Sequence, residues 1–113
     1  MGAIGFCMGG GFVLELAAQQ HDRVSAAVPF YGLREVDAAS ITAHVQGHYG
    51  EKDDYVPLDA VRELFAKIRH AQLFTYDAGH AFYNDENLLG TYDREAGDLA
   101  FGRAVEFLHR HVI

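Results

Sequence analysis

Residues 5–11 read Gly-Phe-Cys-Met-Gly-Gly-Gly, directly after a short apolar run and directly before residues at helical spacing. This is the feature that most limits what the chain can become. Gly5-Phe6-Cys7-Met8-Gly9 is a G-x-C-x-G sequence, the cysteine counterpart of the G-x-S-x-G strand-to-helix turn. So sharp a turn strains the backbone of the central residue, and bulky side chains two residues away would clash. It exposes the central side chain at a helix N-terminus, where the dipole favours a thiolate over a thiol. It also aims the backbone N–H of Met8 at a position where an oxyanion could develop. The bland alternative is a structural cysteine buried in a glycine-rich turn, acting as a small hydrophobe.

The rest of the chain alternates apolar runs with helical patterns, which reads as βαβ units around a parallel sheet. Strands are expected at Met1–Phe6, Val24–Tyr31, Ala43–Tyr49 and Gln72–Tyr76, with Pro29 expected to end the second. A first helix places Phe12, Val13, Leu16, Ala17 and Gln20 on one stripe. A second, opening at Pro57, carries Val61, Leu64, Phe65 and Ile68 at i, i+3, i+4 and i+7. A third, over roughly Tyr92–His111, carries Phe101, Val105, Leu108 and Val112 as its apolar stripe, against the helix-weakening Gly97 and Gly102. The order is β-α-β-β-α-β-α. Functional groups in such sheets gather beyond the carboxyl ends of the strands. Three segments fall there: Gly5–Gly9, Gly50–Pro57 and Ala78–Phe82.

Composition narrows the partners. The 113 residues fit one domain, and a formal charge of −7 without any Lys/Arg cluster argues against a nucleic-acid partner. The apolar runs are too short to span a membrane, and Met1–Phe6 lacks the features of a secretory signal. The lone cysteine, Cys7, excludes an intrachain disulfide and suits a reducing, cytoplasmic setting.

A nucleophilic thiol needs a base, and the base needs an orienting acid. In α/β-hydrolases these follow along the chain as nucleophile, acid, histidine. Cys7 is followed by Gly50-Glu51-Lys52-Asp53-Asp54-Tyr55-Val56-Pro57 and then by Ala78-Gly79-His80. His80, flanked by glycine after a strand, is the candidate base, against a plain surface-loop histidine. Asp53 and Asp54 compete for the acid role, and either could instead cap the following helix. His44 and His48 lie four apart on a strand, which is no metal signature. His109 and His111 are expected at a solvated helix end, where cations complement the dipole.

Taken together, GFCMGGG, VPFYG, GEKDDYVP, YDAGHAFYN and the closing AVEFLHRH resemble the dienelactone hydrolase family of α/β-hydrolases. The resemblance implies a partial α/β-hydrolase fold of about four mostly parallel strands and about three helices. The family's acid turn follows G-x-x-D-x-x-V-P, matched by Gly50, Asp53, Val56 and Pro57, so the resemblance implies Asp53 as the acid. It likewise implies Cys7 as nucleophile, His80 as base and Met8 as oxyanion donor. It implies hydrolysis of small carboxylated esters or lactones through an acyl-enzyme, with no metal or organic cofactor.

Family members carry a comparable stretch before the elbow. It supplies a second oxyanion donor, an acidic residue near the resting thiol and basic groups for the substrate carboxylate. These are not identified in the 113 residues. Two alternatives stand beside a dienelactone-type hydrolase. One is a catalytically weak or inactive half-domain that self-associates or needs a partner chain. The other is a thiol-dependent hydrolase of a different acyl substrate. An uncovered sheet edge is expected at the Met1–Phe6 side, and a homodimer is expected to cover it.

Overall fold

A computed structural model describes residues 1–84, 87 and 89–112. Four strands, β1 (Gly2–Phe6), β2 (Ala26–Phe30), β3 (His44–Gly50) and β4 (His70–Tyr76), form one sheet in the order β1-β2-β3-β4. Every pairing is parallel, with Gly2 opposite Ala26, Ala26 opposite His44 and His44 opposite His70. Three helices cover the sheet: α1 (Met8–Gln19), α2 (Leu58–Ala66) and α3 (Arg94–Val112). A short 3₁₀ turn, Ala38–Ser40, lies in the β2–β3 connection, capped by the Asp37 side chain. None of the helices is long and apolar enough to cross a membrane among the described residues.

The core divides by face. Val13, Leu14 and Ala17 of α1 and Val61 and Phe65 of α2 pack with Ala27, Val45 and Tyr49 of the sheet. On the other side Ala100, Ala104 and Phe107 of α3 pack with Ala26, Val28, Phe30 and Tyr76. The result is the three-layer arrangement that buries a parallel sheet on both faces. It sets the carboxyl ends of β1, β3 and β4, and the loops that follow them, along one rim.

Three details differ from the sequence reading. Pro29 does not end β2, which runs on to Phe30. The ladder to β1 is unbroken at Gly5–Pro29, whereas the pairs with β3 skip from Ala27 to Phe30. The missing N–H thus interrupts one ladder without stopping the strand. The other two concern the helix stripes. On α1 the buried side chains are those of Val13, Leu14 and Ala17, next to the buried Gly10 and Gly11, while Phe12 and Leu16 are exposed. On α3 the small residues Ala100 and Ala104 meet the sheet together with Phe107, while Gly97 lies against Tyr83 of the loop after β4. Phe101, Val105 and Val112, expected in the core, stay exposed.

Both helices therefore have a second apolar side. Small residues let α3 approach the sheet closely, and Val105, Leu108 and Val112 turn toward the β1 edge. Ile4 and Phe6 of that edge strand are exposed too. Gly2, Ala3 and Ile4 form a groove with Val105, Leu108 and Val112 of about 350 Å³.

A polar network sits under α3. His48, fully buried, is within hydrogen-bonding distance of the Tyr76 hydroxyl (2.8 Å) and of the Gln46 side-chain oxygen (2.8 Å). Arg103 donates to Tyr76 Oη at 3.1 Å and lies 4.3 Å over the Phe74 ring. Burial, helped by the Arg103 charge, pushes His48 down to about 3. His44 behaves differently: it is exposed and stacks between His70 (4.8 Å) and His111 (4.1 Å). The last turn of α3 is thus tied to the sheet rather than merely solvated.

One outcome follows from this architecture. His48 stays neutral in the folded state, whereas an unfolded imidazole takes a proton near pH 6.5. Its stabilising effect is complete above that pH and is lost progressively as pH falls toward 3, at about 1.4 kcal/mol per unit. Urea titrations between pH 7 and 4 should show this slope in the wild type and a shallower one in His48→Phe; identical slopes would refute it.

Candidate active site

Cys7 is the single residue between β1 and α1, and its backbone has φ 55° and ψ −123°. A left-handed φ is uncommon for a residue with a side chain. Two hydrogen bonds hold it: Cys7 N–H donates to the Phe30 carbonyl (3.0 Å), and the Cys7 carbonyl accepts from Gly10 N–H (2.9 Å). Two glycines make room. A Cβ on Gly5 would lie 2.2 Å from the Gly9 carbonyl oxygen, and one on Gly32 would lie 1.9 Å from the Cys7 carbonyl oxygen. Gly9, expected from the motif to be sterically required, would place its Cβ in open space. The crowding instead comes from Gly32, which follows β2 and is distant in sequence. Met8 opens α1, so its N–H belongs to the first turn, where no intrahelical acceptor exists.

The acid turn is shaped by Asp53. Its Oδ1 accepts from Tyr55 N–H (2.7 Å) and Val56 N–H (2.8 Å), which turns the chain toward α2. Its Oδ2 lies 2.7 Å from His80 Nδ1. The Asp53 side chain is 1% exposed, whereas Asp54 is exposed. Of the two carboxylates the sequence left in competition, Asp53 is the one that meets the imidazole. The turn is tied to the end of β4 by Glu51 N–H to the Tyr76 carbonyl (2.8 Å) and Lys52 N–H to the Ala78 carbonyl (3.0 Å).

His80 follows β4 in a turn that includes Ala81 at φ 58°. Its carbonyl accepts from the Thr91 hydroxyl. The ring lies between Tyr31, edge-on at 5.4 Å, and Tyr55 at 5.2 Å. With Nδ1 donating to Asp53, the ring's other nitrogen is left as the basic one. Cys7 and His80 line one cavity of about 210 Å³ with Ala81, Asn84, Asn87, Leu89 and Thr91.

The electrostatics differ from what the helix N-terminus alone suggests. Burial pushes the Cys7 thiol above its ordinary value, and the Asp53 carboxylate adds to the effect. Dipole stabilisation is a fraction of the cost of removing a thiolate from water. Such a thiol rests neutral at neutral pH.

Tyr31 is a site residue the sequence reading did not single out. It is 1% exposed, has φ 39°, and directs its hydroxyl toward Tyr83 N–H in the electrostatic range of Cys7. Burial pushes its hydroxyl well up, so it stays a proton donor. The only sequence signal was its position at the carboxyl end of a buried strand. The remaining histidines fall elsewhere: His44, His70 and His111 in a stack at the opposite end of the sheet, His48 in the core, and His21 and His109 exposed. Among the described residues no cluster of His, Cys, Asp and Glu is arranged to hold a metal ion.

Comparison with known proteins agrees with the fold. A model of the "Dienelactone hydrolase family" matches residues 1–112. Carboxymethylenebutenolidase 1 of Cupriavidus pinatubonensis is 28% identical, with 93% of this chain and 46% of that protein covered. A dienelactone hydrolase-like promiscuous phosphotriesterase from metagenomic libraries superposes with a TM-score of 0.83 at 28% identity, covering 97% of this chain and 52% of that one. The dienelactone hydrolase of Anabaena variabilis shares the fold with a TM-score of 0.77 at 19% identity, covering 97% and 49%. The chain spans about half the length of these relatives.

The charge coupling between Asp53 and Cys7 has a measurable signature. Alkylation of Cys7 by a neutral reagent should show a midpoint above that of a cysteine in an unstructured peptide. Asp53→Asn should move that midpoint down, because it removes a negative charge while keeping an acceptor for Tyr55 and Val56. A midpoint that stays put or rises in the variant would contradict the coupling.

Proposed function

The chain belongs to the dienelactone hydrolase family, and from that premise we propose that Cys7, His80 and Asp53 hydrolyse small ester or lactone bonds through an acyl-enzyme. One observation carries the reading: a carboxylate-anchored imidazole and an elbow thiol, from loops far apart in sequence, line the same cavity. A strained nucleophile position next to an oriented base is what acyl transfer requires.

The steps follow from the contacts. His80 takes the thiol proton through the nitrogen not bonded to Asp53, and the carboxylate stabilises the imidazolium formed. The Cys7 sulfur attacks the substrate carbonyl, and the oxygen that gains charge turns toward Met8 N–H at the head of α1. Collapse of that intermediate breaks the carbon–oxygen bond, and His80 returns the proton to the leaving oxygen. For an ester the alcohol departs; for a lactone it remains tethered to the acyl group. Water, deprotonated by His80, then cleaves the thioester and restores the thiol. Burial of the thiol favours this concerted use of His80 over a resting thiolate.

An assay with p-nitrophenyl acetate tests the reading. Turnover should fall by about 10²–10⁴ in both Cys7→Ala and His80→Ala, with Asp53→Asn lowering kcat more than it raises KM. Wild-type turnover no greater than that of Cys7→Ala would refute it.

A further inference from the structure

The loops that carry Asp53 and His80 leave the sheet at one place. Gly50 and Tyr76 are the last paired residues of β3 and β4, with Asp53 shortly after the first and His80 shortly after the second. The Tyr76 carbonyl accepts from both departing loops, from Glu51 N–H (2.8 Å) and from Ala78 N–H (2.8 Å). Its ring lies 5.1 Å from Phe82, Phe82 lies 5.2 Å from Tyr31, and Tyr31 meets the His80 ring edge-on at 5.4 Å. Whatever fixes the Tyr76 ring therefore fixes the branch point of both loops.

The Tyr76 hydroxyl belongs to a hydrogen-bond chain whose direction follows from the groups in it. A guanidinium only donates, so Arg103 at 3.1 Å makes the Tyr76 oxygen an acceptor and leaves the phenol proton for His48 Nδ1, 2.8 Å away. A neutral imidazole that accepts at Nδ1 carries its proton on Nε2, which donates to the Gln46 oxygen at 2.8 Å. The Gln46 amide nitrogen then donates to Gln72 Oε1 at 3.3 Å. Every link agrees in direction, and Tyr76, His48 and Gln46 are all buried. The Phe74 ring, 4.3 Å beneath the guanidinium, holds the donor that starts the chain. We infer that Tyr76 is a positioning residue for the Asp53–His80 pair, held by this chain from Arg103 rather than by packing alone. The inference deepens the hydrolase reading above, on which its effect on turnover rests. Without the phenol oxygen, a buried His48 nitrogen loses its donor and the guanidinium its acceptor. The end of β4 is then free to shift, and the two loops it ties move relative to each other.

Tyr76→Phe removes that oxygen alone. Nitrogen-15 spectra of the histidine rings, taken at mildly alkaline pH and assigned with His80→Ala and His48→Phe, read the geometry without any turnover. In the wild type His80 should be held as the Nδ1–H tautomer by Asp53, and His48 as the Nε2–H tautomer. In Tyr76→Phe the His80 ring should become a mixture of tautomers, and kcat for p-nitrophenyl acetate should fall about tenfold with KM little changed. Arg103→Met, which leaves the buried residues in place, should act in the same direction and serves if Tyr76→Phe does not fold. Ile41→Val, a truncation in the core on the opposite face of the sheet, should leave the His80 tautomer as it is. A His80 ring unchanged in the folded variants of Tyr76 and Arg103 overturns the inference. So does one that changes as much in Ile41→Val, where general loosening is the cause, or a wild-type His48 found as Nδ1–H. A His80 ring that responds to Tyr76→Phe in a protein without Cys7-dependent turnover refutes the hydrolase reading and leaves the positioning role standing. Cys7-dependent turnover with an unresponsive His80 ring does the reverse.

Discussion

The left-handed backbone at Cys7 is the constraint around which this molecule is arranged. A φ of 55° on a residue with a side chain is a strained conformation, of order 1–3 kcal/mol, that persists only where its surroundings over-determine it. Here the surroundings are specific. Phe30 at the end of β2 accepts its N–H, Gly10 in α1 binds its carbonyl, and Gly32 leaves the space a side chain would fill. The elbow is therefore a property of β1, α1 and β2 together. Its strain is offset by burial of the same strands: Val28 and Phe30 are fully inaccessible, as are Leu14 and Ala17 on the helix that follows the turn.

Asp53 links local folding to chemistry. One carboxylate oxygen satisfies two backbone N–H groups and fixes the turn into α2; the other holds His80. The same charge raises the thiol's proton affinity, in concert with burial. A partly buried thiol thus rests neutral in the cavity it shares with a carboxylate-anchored imidazole. In water the carboxylate would interact weakly with either partner; in this half-enclosed rim it acts on both.

Much of this architecture was legible in the residues. The strand and helix order, the three rim loops and the apolar periodicity of α2 came through because each is a local pattern with a local physical cause. The helix stripes of α1 and α3 were misread for a definite reason. Large apolar residues dominate any periodicity count, yet α3 meets the sheet through the small Ala100 and Ala104 beside a single large residue, Phe107. Small residues permit close approach, and the large ones, Val105 and Val112, were left toward the β1 edge beside Ile4. Which apolar face of a two-faced helix lies inward is settled by what it packs against, which periodicity does not contain.

Residue types and spacing alone determined the elbow motif, the parallel α/β class, and the short list of Cys7, His80 and the Asp53–Asp54 pair. Those are consequences of local sterics and of chain order. Only the tertiary structure decided that Asp53 rather than Asp54 reaches the imidazole, that Gly32 rather than Gly9 accommodates the turn, and that Tyr31 lies beneath the site. It also decided that the thiol's proton affinity rises rather than falls. Each of these depends on distances between residues remote along the chain, and such distances exist only once the strands have paired.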